Sequence, residues 1–133
     1  MPERIKLSRA RGWRKPEGAK NVARPSRYGN PFCVDGSSVV GQNWTLVRAN
    51  WGRQTFREYD VIYTSHSTVA AAVAHSVELF RMLCEVSRRD HPGRFEDWIA
   101  PLRGMDLCCW CPLPVPGEPD ICHARILLDI ANG

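Results

Sequence analysis

No apolar run in the sequence approaches the roughly 20 residues needed to cross a bilayer, so no membrane-spanning segment is expected. The opening residues, MPERIKLSRARGWRK, lack the apolar stretch of a secretory signal. These absences point to the cytoplasm, a reducing compartment where disulfides are rare. There is no internal repeat and no long low-complexity linker. A Walker loop and a Gly-x-Gly-x-x-Gly run are both missing, which disfavours a standard ATPase or dinucleotide enzyme. No carboxylate stands at an obvious place for a glycosidase-type mechanism, although Glu118 and Asp120 lie near the C-terminal cysteines. Acidic residues are scarce at the start. Residues 1–27 carry nine Lys or Arg against only Glu3 and Glu17, a charge balance that attracts phosphate or leaves a solvated basic edge.

What is present suits one ordinary domain. The 133 residues, 44% hydrophobic and 24% charged, can bury a core without staples. Residues 4–9 and 19–24 read as strands. Residues 34–43 read as a flexible loop, and the aromatic stretches WTLVRANW and RQTFREYDVIY as a hairpin or irregular insertion; residues 34–60 together form the expected insertion. From Ser67 the spacing of Val69, Val73, Val77, Phe80 and Cys84 is helical, with Ser67 or Thr68 as cap and HPG as the stop. A short helix over 94–102, a buried strand at MDLCCWC and a last helix from DICHARILLDIANG follow, with Asp120 as its expected cap. The order implies a small α/β or α+β domain, one sheet covered by helices, with a Rossmann-like arrangement among the forms open to it.

Four of the six cysteines fall between residues 108 and 122, and a histidine follows the last. On a strand, Cys109 and Cys111 share one face, and Cys108 and Trp110 the other. Cys122 and His123 fall in the first turn expected of the last helix, where the dipole lowers a thiol pKa. Two uses follow. Cys109, Cys111, Cys122 and His123 offer the four soft donors of a zinc site. Alternatively, Cys122 is an activated thiol with His123 as its proton partner, and Cys111 lines the site. The spacing is not that of a Cys-x2-Cys knuckle, and adjacent helical residues point about 100° apart, which opposes the metal use. Cys84, on the apolar helix face, is expected in the core, and Cys108 and Cys109 also fit plain burial.

A second cluster is VARPSRYGNPF, which ends a strand with Arg24, Ser26, Arg27 and Asn30. If this strand and the cysteine strand run parallel side by side, their loops form one pocket at the carboxyl edge of the sheet. Guanidinium, hydroxyl and amide donors there suit a phosphate or ribose-phosphate. The structural alternative has Asn30 and Pro31 fixing a turn and Phe32 plugging the core.

RPSRYGNPF, LRG-x-DLCCWCP and CHARILLDIAN together resemble domain-of-unknown-function family 4326, a small family of phages and bacteria. The resemblance covers the chain apart from about residues 34–60. It implies that Arg24, Pro25, Ser26, Gly29, Asn30, Pro31 and Phe32 form one motif, and Cys109, Trp110, Cys111, Cys122 and His123 another. The family usually carries CHAD, whereas this sequence has Arg125 in place of the acid. The family name brings no established activity. A fainter likeness to another uncharacterised family, with an SR-x-NP-x-F stretch and a late CHR segment, leans towards a Rossmann-like nucleotide fold.

The leading expectation is a phage-type protein, in the host cytoplasm, that binds or processes a nucleotide or nucleotide-derived small molecule. Arg24, Ser26, Arg27, Asn30 and Cys111 would bind it, and Cys122 and His123 would act on it. A second expectation is a nucleic-acid-binding module, zinc-stabilised or simply packed, with Trp13, Tyr28 and Phe32 stacking on bases. A third is a phage protein that grips a host protein through Trp44, Trp51 and Phe56.

Overall fold

The structure, a computed structural model, describes residues 2–24, 26–41 and 62–133. It is a mixed α/β protein with three α-helices and two small sheets among the described residues. The expected WTLVRANW and RQTFREYDVIY hairpin, with Trp44, Trp51 and Phe56, lies outside them save for its last two residues. No helix among them is long and apolar enough to cross a membrane. The chain divides into two compact units, residues 1–29 with 99–133, and residues 30–98.

The first unit holds a parallel sheet of β1 (Arg4–Lys6), β2 (Ala19–Asn21) and β6 (Asp106–Cys109), in the order β1-β6-β2. Arg4, Ile5 and Lys6 face Leu107, Cys108 and Cys109, while Ala19, Lys20 and Asn21 face Asp106, Leu107 and Cys108. Leu7 N donates to the Cys109 carbonyl at 2.9 Å and Val22 N to that of Cys108 at 3.0 Å, so the ladder runs one residue past both outer strands. The expected strands were longer, but only these residues find a partner on the four-residue central strand. All three strands point the same way, so their carboxyl ends share one edge. The last helix, α3 (His123–Asn132), packs on β6 and β1 through a stripe of Ala124, Leu127, Leu128 and Ala131, spaced three and four apart. Arg103 Nε and Gly104 N donate to the Ala131 carbonyl and the Asn132 side chain, which satisfies the helix's open end.

The second unit is an antiparallel sheet, β3 (Phe32–Asp35), β4 (Ser38–Gly41) and β5 (Ile62–Ser65), in sequence order. Residues 34–41 were expected as flexible loop and are instead most of a hairpin. Asp35 pairs with Ser38, and Gly36 takes a φ of 60° in the two-residue turn. Asp-Gly between Val34 and Val39 is a hairpin signal, and the surrounding serines masked it. The long helix α1 (Val69–Asp90) packs on β3 and β4. Thr68 caps it, its hydroxyl accepting from Ala71 N at 3.1 Å. Its buried stripe is Ala72, Ser76, Phe80, Leu83, Cys84 and Ser87, so Cys84 is core as expected. Pro92 then starts α2 (Pro92–Ile99), which buries Phe95 and Trp98. This helix begins two residues earlier than expected and ends at Ile99. Residues 100–102 tighten into a 3-10 turn around Pro101, which lacks the N–H an α-helix would use.

Candidate metal centre

The site begins with strand alternation. β6 ends at Cys109, and Cys111 lies two residues on, so their side chains fall on the same side. The two sulfurs are 3.8 Å apart. Cys122 returns to this point after the PLPVPGEP loop, and the three sulfurs all lie within 4.8 Å of one another. Cys109 and Cys122 are buried and Cys111 is half-buried. Three thiols in one small volume are the right chemistry for a soft cation such as zinc.

Arg4 holds the loop that brings Cys122 back. This guanidinium on β1 is 7% exposed. Its Nε donates to Asp120, its Nη1 to the Cys111 carbonyl at 2.9 Å, and its Nη2 to the Pro112 carbonyl. One planar fork thus ties both ends of the 111–120 segment to the sheet. Asp120 was expected to cap the last helix. It pairs with Arg4 instead, and the cap is Cys122, whose backbone is extended (φ −152°, ψ 142°) and whose side chain makes no capping bond. The helix therefore starts at His123, later than expected, because a buried arginine outcompetes two backbone N–H groups for the carboxylate. Nothing in the sequence separates Arg4 from the eight other cations near the N-terminus.

His123 is buried at 6% exposure. Its Nε2 lies 2.8 Å from the Val22 carbonyl and its Nδ1 3.9 Å from Cys109 Sγ. It is not part of the set of atoms within 4.8 Å of one another. The parallel pairing of β2 with β6, which the pocket reading required, is present, and the His123–Val22 bond joins the segments that follow these strands.

The thiols do not share charge equally. Hydrogen bonds from Cys111 and Cys122, opposed by burial and helped by His123, hold the Cys109 thiol far below its ordinary value. The same bonds to Cys109, with burial, push Cys111 and Cys122 up. The lowered pKa expected of Cys122 from the helix dipole is thus found on Cys109. Three facing thiols accept one negative charge most readily, and it settles where two S–H groups and an imidazole converge. Cys84 and Cys108 are pushed up chiefly by burial.

The other expected site residues are dispersed. Past β2, Ser26 N donates to the Ala23 carbonyl at 2.9 Å and Gly29 N to the Ser26 carbonyl at 3.0 Å, each a turn-closing bond. A Cβ on Gly29 would stand 2.7 Å from Arg24 Cγ, so glycine is needed there for Arg24 to lie against the turn. Arg24 and Arg27 are exposed, and the Arg27 guanidinium lies 5.4 Å over the Tyr28 ring. Ser26 Oγ accepts from Tyr28 N at 3.3 Å. Asn30 belongs to the second unit and is buried. Its amide donates to Ser76 Oγ at 3.0 Å, and its side-chain oxygen accepts from Phe32 N at 2.9 Å. Tyr28 and Phe32, expected to stack on bases, are 1% and 6% exposed and serve as core. Trp110 does face outward, 43% exposed, with the Arg9 guanidinium 4.9 Å over its ring. Arg125 pairs with Asp129 one turn on and lines a cavity of about 300 Å³ with Pro2 and Leu128.

The family model described as domain of unknown function (DUF4326) matches residues 5–133. No curated protein and no solved structure matches the chain.

Proposed function

The chain therefore belongs to the DUF4326 family, and on that footing we propose that it is a metal-organised binding protein for a phosphate-bearing nucleotide or nucleotide-derived small molecule. Zinc held by Cys109, Cys111 and Cys122 shapes the carboxyl edge of the parallel sheet. The observation that carries the reading is the meeting of three sulfurs within 4.8 Å at the end of the central strand. Ligands of open α/β sheets bind beyond the carboxyl ends of the strands. Arg24, Ser26 and Arg27 follow the carboxyl end of β2 in the chain, and both arginines are exposed. Asn30 is left out of the ligand set because its amide is engaged with Ser76 and Phe32. Thiols that bind zinc must stay reduced, which fits a cytoplasmic protein.

The test is a calorimetric titration of zinc-loaded protein with mono- and dinucleotides, beside Arg24→Ala and a chelated sample. Saturable binding that weakens in both comparison samples supports the reading. No binding by the loaded wild type removes the nucleotide half of it.

A second reading, single-stranded nucleic acid, is favoured by Trp110, solvent-facing beneath Arg9, and by the exposed Arg11, Arg14 and Lys15 on the same unit. Steep salt dependence of oligonucleotide binding, together with quenching of Trp110 fluorescence, would select it.

A further inference from the structure

We infer that His123 is the fourth ligand, through Nδ1, so that three sulfurs and one nitrogen enclose the ion and no coordination position is left for a substrate. The inference rests on the proposal that the three thiols hold zinc, and extends it from the presence of an ion to the kind of work the ion does.

The tautomer comes first. A carbonyl oxygen only accepts, so the 2.8 Å contact with Val22 places a proton on Nε2. A ring bound to a metal is neutral, and with its proton on Nε2 it presents the Nδ1 lone pair to the ion. Ligating histidines have this arrangement, in which a backbone carbonyl takes the other N–H and fixes the ring.

Distances come second. With Zn–S near 2.3 Å and Zn–N near 2.0–2.1 Å, a tetrahedral centre spaces its sulfurs about 3.8 Å apart and sulfur from nitrogen about 3.6 Å. Cys109 and Cys111 stand at 3.8 Å, and Cys109 Sγ and His123 Nδ1 at 3.9 Å. Nδ1 is outside the group of atoms within 4.8 Å of one another, so loading must turn the ring inward towards Cys111 and Cys122. The Val22 bond is the pivot.

The backbone removes the main objection. Neighbours on a helix diverge by about 100°. Cys122, however, is the extended cap, and only His123 is helical. Their side chains are therefore not bound by helical divergence. The ligand set is two plus two: Cys109 and Cys111 at a strand end, Cys122 and His123 at a helix start.

A closed four-coordinate centre is structural, because a catalytic zinc keeps a position for water or substrate. It also uses Cys122 and His123 as ligands rather than as nucleophile and base.

The experiment loads reduced, metal-free protein with cobalt(II) and records its absorption for wild type, His123→Ala and His123→Cys. The expected wild-type spectrum is tetrahedral and unchanged by added imidazole. His123→Ala should bind zinc more weakly by upwards of about tenfold, keep its thiolate charge-transfer bands, and respond to imidazole. His123→Cys should close the site again with a fourth thiolate. Should the variants fail to fold, wild-type protein labelled with 15N and loaded with 113Cd gives the answer, since ligation predicts a cadmium–nitrogen coupling to His123 Nδ1. Wild type that takes no cobalt overturns the zinc proposal and this inference together. Wild type that takes cobalt but responds to imidazole, or shows no cadmium–nitrogen coupling, overturns this inference alone.

Discussion

The two units hold themselves together by different means. In residues 30–98 a helix of 22 residues lies on an antiparallel sheet, and Phe80, Leu83, Phe95 and Trp98 are almost wholly buried. Of the described polar side chains buried there, Asn30 and Ser76 bond to each other, and Ser87 Oγ lies against the apolar stripe without a hydrogen-bond partner. In residues 1–29 and 99–133 the strands are three or four residues long, and the buried groups include Arg4, His123 and three thiols. Apolar packing is present there too, in Val22, Leu107, Leu127 and Leu128, but it surrounds polar groups that must find partners inside the unit. The candidate site lies on the unit in which buried polar groups and thiols meet at a strand edge.

That contrast can be broken experimentally, and chelation should produce the largest effect. Removing zinc from the loaded protein should abolish amide-exchange protection in β1, β2, β6 and α3, and leave α1 protected. Exchange mass spectrometry with peptide resolution reads this directly. Equal loss in both units would erase the distinction.

Phe80→Ala should destabilise by about 3–5 kcal/mol in urea, through the cavity it leaves, without changing the metal content per chain. Arg4→Met removes one partner of a buried pair and leaves Asp120 uncompensated. The cost should be about 3 kcal/mol or more, accompanied by weaker zinc affinity, because the 111–120 loop loses its anchor. A stability loss with unchanged affinity would confine Arg4 to packing. Thr68→Ala, which removes the cap of α1, should cost about 1 kcal/mol and leave zinc untouched.

Thiol accessibility sharpens the same comparison. Cys84 and Cys108 are buried with raised pKa values, so alkylation of loaded native protein should modify Cys33 and spare them. Stripping the metal should add Cys108, Cys109, Cys111 and Cys122 and still spare Cys84, since only the parallel-sheet unit opens.

Sequence periodicity revealed α1, its capping region and its Cys84 face because a long amphipathic helix repeats its signal many times. Alternation revealed that Cys109 and Cys111 share a side. The hairpin at Asp35-Gly36 was legible but obscured by polar neighbours. The clamp was not legible, because whether Asp120 caps a helix or pairs with Arg4 depends on β1 lying beside β6. The same holds for Tyr28 and Phe32. An aromatic beside arginines reads as a stacking surface until the fold shows the ring inside.

The most direct test of a metal-organised unit is the native mass of protein purified under reducing conditions, with Cys122→Ser alongside. The account predicts one zinc per wild-type chain, with the loss of protons that ligating thiolates require, and none retained by the variant after mild chelation. A wild-type mass with no metal, unchanged when zinc is supplied during refolding, would contradict it.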